Sequence, residues 1–296
     1  MPEALYPPSR PLSVGEILDS AFRVFGVTLL RCLPYAALGR IAAQLPNIYY
    51  LLTGRARAVR LGTVLMDPRW WGMDLIGIAL SAWLWSAMLL HQHAIATRRG
   101  TAIGPELALA TRKLPGVLLM LLILSALIMV FAIPLGASLG LGSAGVMRGS
   151  SEMAAGAGIA LLTALVVLIP VSWLALRWSS AVIVYVLGPA GWVESMGRSW
   201  RLTSGSFWRL SLVYTVALVL VLVLYALSLA LTGLVAMLMA GGDVAVITAV
   251  TSTAVVLLSA VALPFYTALA LVVLGDLSVR KEGADLAQRI AASAAT

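Results

Sequence analysis

Six apolar stretches run through this sequence, at 27–52, 73–96, 114–141, 156–187, 210–239 and 244–274. Each reaches the roughly 20 residues a helix needs to cross the hydrocarbon core of a bilayer. A helix of that kind satisfies its own backbone hydrogen bonds and needs no water around it, so lipid can be its solvent. Composition points the same way. Of 296 residues, 61% are hydrophobic and only 11% charged, more apolar surface than a soluble domain can bury. The expected fold is therefore all-α and polytopic, with about six transmembrane helices in a single membrane domain over 1–296. No stretch remains for a separate soluble catalytic domain. The polar, proline-bearing N-terminus predicts that no secretion signal is cleaved and that the first span targets the chain.

Charge sets the expected orientation. Of the 20 Lys and Arg residues, Arg40 falls within a span. With both termini in the cytoplasm, five lie outside (Arg55, Arg57, Arg60, Arg69 and Arg148) and the remaining 14 inside, as the positive-inside rule requires. A first segment that re-entered without crossing would give 9 inside against 11 outside, which is no bias. Cytoplasmic termini are therefore expected, and the Arg55–Arg69 cluster is the weakest point of that orientation. Trp70, Trp71 and Trp208 open spans as interface anchors do, and Pro134, Pro170 and Pro264 predict kinks. The net charge of +8 flanks apolar runs, which points to anionic lipid headgroups as partners and not to nucleic acid.

Three segments share a layout. Residues 15–23, 104–112 and 191–198 each begin at a glycine, carry an acid within three residues (Glu16, Glu106, Glu194) and reach an arginine seven or eight residues on. Each precedes a pair of spans. They read as three cytoplasmic interfacial amphipathic helices. In the first, Ile17, Leu18, Ala21 and Phe22 form a stripe opposite Glu16, Asp19 and Arg23, and Ser13 with Glu16 makes a capping-box pattern. In the third, Val193, Met196 and Trp200 make the apolar face. Since two crossings restore orientation, the units 13–96, 102–187 and 190–276 are expected to be parallel repeats about a pseudo-threefold axis, followed by a cytoplasmic tail over 277–296.

The same segments carry a family resemblance. Residues 13–25, SVGEILDSAFRVF, and 194–208, ESMGRSWRLTSGSFW, resemble bacterial membrane proteins related to the glycerophosphoryl diester phosphodiesterase membrane domain. The resemblance covers the whole layout. It implies the membrane part only, because this chain has no room for the catalytic barrel that some relatives carry, and it supplies no catalytic residues.

Reactive groups are sparse. Cys32 is the only cysteine, which excludes an intrachain disulfide and argues against a cysteine metal site. His91 and His93, two residues apart, point about 200° apart on a straight helix and cannot chelate one metal; they read as interfacial polar residues. All twelve acids fall in loops, interfacial segments or span ends, with Asp74 and Asp276 nearest to hydrocarbon. No carboxylate pair, metal cluster or activated serine stands out, so no catalytic, cofactor or metal residue is assigned and no cofactor is expected. The residues assigned to lipid or anion contact are Arg40, Arg177, Arg198 and Arg201. Arg40 and Arg177 have two readings: cations facing a central cavity, or the preferred one, snorkelling and carbonyl capping near helix ends. Gly136-x-x-x-Gly140 predicts close helix packing. Three functions follow. The favoured one is a non-enzymatic scaffold or accessory subunit that binds anionic lipid and a membrane or cytoplasmic protein partner. The others are a transporter or lipid-handling protein with a cavity between the hairpins, and, least favoured, an embedded enzyme.

Overall fold

The computed structural model describes residues 5–53, 67–147, 152–239 and 243–283, with 51, 131–147, 152–161, 164, 165, 168, 239, 244, 245 and 248 described for their backbone only. Among the described residues every regular element is a helix: α1 (Val14–Ala42), α2 (Leu45–Leu52), α3 (Pro68–Ala96), α4 (Ile103–Met147), α5 (Glu152–Trp178), α6 (Ala181–Leu187), α7 (Trp192–Thr203), α8 (Phe207–Met239) and α9 (Val244–Glu282). Six segments among the described residues are long and apolar enough to cross a membrane: Val14–Ala42, Pro68–Ala96, Ile103–Val130, Ile169–Leu187, Phe207–Leu238 and Ala249–Glu282. Large apolar side chains such as Leu30, Leu222, Leu231 and Leu257 stand exposed along them, as lipid-facing residues do. The chain is a multi-pass, all-α membrane protein.

Boundaries differ from those read off the sequence. The segment 15–23 is not a separate interfacial helix, because α1 runs unbroken from its capping box into the bilayer. Ser13 N–H donates to Glu16 Oε2 (2.7 Å) and Glu16 N–H to Ser13 Oγ (3.3 Å). Nothing downstream stops the helix, since a buried stripe of Ile17, Ala21, Val24, Thr28, Cys32, Ala36 and Gly39 continues along it. At 29 residues α1 measures about 43 Å, enough to span alone. Its end at Ala43 and Gln44 puts Pro46 in the separate α2. The segment 104–112 likewise forms the first turns of α4, and the fourth stretch breaks at Ser179 and Ser180 between α5 and α6. Only 191–198 stands as a helix of its own, α7. Pro34, Pro170 and Pro264 lie within α1, α5 and α9. Pro134, Gly136 and Gly140 fall where only the backbone is described, and Arg55, Arg57, Arg60, Arg148 and the tail beyond 283 lie outside the described residues.

The chain forms two compact units, Met1–Leu114 with Trp208–Thr296, and Pro115–Phe207. In the first unit α1 packs antiparallel to both α3 and α9. Small residues let α1 and α3 approach closely: Ser81 Oγ donates to the Gly39 carbonyl (2.8 Å), and a Cβ added to Gly77 would sit 2.6 Å from the Ala42 carbonyl oxygen. Residues 5–12 form a strap across one end of this unit. Leu5 N–H donates to the Ala96 carbonyl (3.1 Å), Tyr6 meets His93 edge-on at 5.4 Å, and Gly275 leaves room for Tyr6 and Pro8, whose nearest atoms stand 2.7 Å from where a Cβ would be. In the second unit, α7 packs on α6 and α5.

Candidate functional site

Polar side chains inside a membrane protein are costly unless paired, so the paired and unpaired ones locate the places where function can reside. The first unit holds three such places.

At the strapped end, Asp276 on α9 is only 1% exposed. Its carboxylate accepts from Leu12 N–H (2.7 Å), Arg209 Nη1 (2.5 Å) and Arg280 Nε (3.2 Å). Both arginines also donate to the Leu12 carbonyl. This knot ties the strap, α8 and α9 together, and every charge in it has a partner. The sequence reading had placed Asp276 at a span border but paired it with nothing. The signal was there in part: Arg280 sits four residues on, one helical turn away.

The second place lies where α1, α3 and the start of α4 meet. Gln92 is fully buried, and its Nε2 donates to Thr28 Oγ1 (2.9 Å) and to the Pro264 carbonyl (3.0 Å), cross-linking α1, α3 and α9. Its Oε1 has no partner among the described residues, nor does the buried Tyr35 hydroxyl. Beside them His91 Nδ1 lies 2.7 Å from Glu106 Oε2, with the two side chains 8% and 11% exposed. The Tyr35 ring stands 5.6 Å from that of His91, and Cys32 packs with Tyr35 and Met88. His91 is thus not an interfacial residue bathed in headgroups; it is buried and matched to a carboxylate. His93 points away and meets Tyr6, as the angle between the two predicts. The acid on the second repeat segment had been read as a surface charge, because a hairpin partner 15 residues away cannot be seen from helix periodicity.

The third is Arg40, in the last turn of α1. Its Nε donates to Ser259 Oγ of α9 (2.7 Å), and Ser259 in turn donates to the Val256 carbonyl (2.7 Å). Tyr225 of α8 holds its hydroxyl beside Ser259. Next to this trio an apolar groove of about 110 Å³ opens between α1, α8 and α9, walled by Phe22, Phe25, Leu224, Leu258 and Phe265.

The second unit contains Arg177, Arg198 and Arg201. Arg177, at the end of α5, is sandwiched by indoles, its guanidinium carbon 5.2 Å from the Trp173 ring and 5.0 Å from that of Trp200. Such a contact offsets part of the cost of a desolvated cation. Nε and Nη1 are buried with no hydrogen-bond partner among the described residues, so the ring faces are what meets this cation there. The Arg177 carbonyl accepts from Ser199 Oγ (2.8 Å) and Thr203 Oγ1 (3.3 Å), which fixes α7 against α5. The face of α7 that turns inward is therefore Ser195, Ser199, Leu202 and Thr203, all buried, while Val193 and Trp200 are exposed. The apolar side read from the sequence, Val193 and Trp200, is thus turned away from the protein, and the small hydroxyl residues that bond to the Arg177 carbonyl take the inner side. Arg177 and α7 are brought together; Arg40 belongs to the other unit and has its own partner.

In comparisons with known proteins, no family model, no curated protein and no solved structure matches this chain.

Proposed function

We propose that this chain is a non-enzymatic component of a bacterial inner membrane, a scaffold or accessory subunit that holds anionic lipid and docks a protein partner through α7. The observation that carries this reading is the posture of α7. Hydrogen bonds to the Arg177 carbonyl hold it rigidly, with Val193 and Trp200 exposed, Arg201 exposed, and Arg198 on the same helix. An exposed tryptophan beside arginines suits the headgroup layer, where the ring seeks the interface and the cations seek phosphate. Cytoplasmic termini accord with the first unit, whose strapped end gathers Arg10, Arg98, Arg99, Arg209 and Arg280 near the start of α8 and the finish of α3 and α9. The likeness of 13–25 and 194–208 to the glycerophosphoryl diester phosphodiesterase membrane domain accords with a role free of catalysis.

The full chain in detergent is expected to gain more thermal stability from phosphatidylglycerol than from phosphatidylcholine. Replacing Arg198 and Arg201 together with Glu should reduce that difference and remove any partner captured by crosslinking in native membranes. Equal stabilisation of the unmodified protein by both lipids would end this proposal.

A second reading, lipid handling within the first unit, is supported by the apolar groove beside Arg40.

A further inference from the structure

We propose that the first unit binds one anionic phospholipid, with its phosphate on the Arg40 guanidinium and one acyl chain in the groove between α1, α8 and α9. The proposal deepens the lipid-handling reading, on which it rests for its ligand class, and uses no residue of α7.

The two halves of the site match the two halves of such a molecule. Phe22 and Phe25 of α1, Leu224 of α8, and Leu258, Val261 and Phe265 of α9 offer carbon alone to whatever fills the groove. At its edge Tyr225 leads to Ser259 and so to Arg40. A guanidinium carries five N–H donors. Among the described residues only Ser259 hydrogen-bonds that of Arg40, through Nε, and no carboxylate pairs with it. A partly buried cation beside hydrocarbon therefore has its terminal donors and its charge to satisfy. A phosphate does both, since guanidinium and phosphate oxygens pair in a two-pronged geometry. A free phosphate would leave the groove empty, and a hydrocarbon chain alone would leave the cation unmatched.

Depth agrees. Tyr225 lies sixteen residues along α8 from Arg209, roughly 24 Å at 1.5 Å per residue. The Asp276 knot marks one border of a hydrocarbon core about 30 Å thick. Arg40 then sits close to the opposite border, where lipid phosphates are. The lipid belongs to the leaflet facing away from the knot, its chain running back toward Phe22.

The test uses the full chain, stripped of lipid in mild detergent and titrated with phosphatidylglycerol, phosphatidylcholine or inorganic phosphate under native mass spectrometry. One phosphatidylglycerol should be retained, at least about tenfold more tightly than phosphatidylcholine. Arg40→Gln should weaken it by a similar factor. Ala262→Phe, which fills the groove and leaves the cation in place, should abolish retention. Inorganic phosphate should not displace the lipid. Should Arg40→Gln fail to fold, Ala262→Phe decides alone. Wild-type retention by either variant overturns the site, and displacement by inorganic phosphate overturns the lipid as its occupant. The Arg198 and Arg201 charge reversals should leave this single lipid bound. Its loss there would move the site to α7 and overturn the assignment to Arg40, whereas failure of the α7 reading alone leaves the Arg40 lipid in place.

Discussion

Asp276 shows how a carboxylate is kept at the end of a membrane helix. Burying a lone charge is costly, but two arginines and the Leu12 N–H surround this one. Removing the negative charge leaves Arg209 and Arg280 facing each other over a buried amide. Asp276→Asn should cost about 3 kcal/mol, the low end for breaking a buried pair because both arginines are partly exposed and can rehydrate. A lowered melting temperature of the detergent-solubilised chain is the readout, and Arg280→Met should lower it less. At this scale the sequence revealed types of residue but not their partners. Arg40 was singled out correctly as a cation within a span, yet its serine lies 219 residues away. His91 reads from the sequence as an interfacial polar residue with no partner, because Glu106 sits on another helix. Periodicity assigns a residue to a face of its own helix and is silent about what that face meets.

Helices were more legible than contacts. Each apolar stretch is helical because bilayer length is a strong constraint, although the first and fourth are each divided between two helices. Their ends shifted where packing overrode local signals. Gly26 did not break α1, although glycine disfavours helix by about 1 kcal/mol relative to alanine, because Val24 and Thr28 on either side are buried against neighbours. In α7 Ser195 and Ser199, which hydrophobicity assigns to neither face, take the buried one. Close packing was expected at Gly136 and Gly140, whereas the contact visible among described residues is that of Gly39 and Ala42 against Gly77 and Ser81, also small residues at helical spacing. Gly77→Ala should push α1 and α3 apart and cost about 1–3 kcal/mol. Thermal unfolding of the purified chain checks this, and an unchanged melting temperature would mean the helices separate freely there.

For the molecule as a whole, the number of crossings followed from composition, while the division into two units did not, since it depends on contacts between distant segments. The parallel-repeat reading of the sequence predicts that the loops before α4 and after α7 face the same side of the membrane. Single cysteines at Thr101 and Ser204, in a background where Cys32 is fully buried, should react with a membrane-impermeant thiol reagent from the same side. Labelling from opposite sides would break both the topology and the proposed parallel repeats.

The strap joins Leu12 to Asp276 across 264 residues of chain. Synthesis runs from the first of these to the last, so α1 enters the bilayer long before its anchor exists. Until α9 arrives, the Leu12 amide, Arg209 and the α1 stripe must wait without their final partners, and contacts so distant along the chain are slow to close. Assembly of the first unit is thus decided only once residue 276 has been made, and a product cut short before it would display to cellular proteases an arginine and a backbone segment that the folded unit hides.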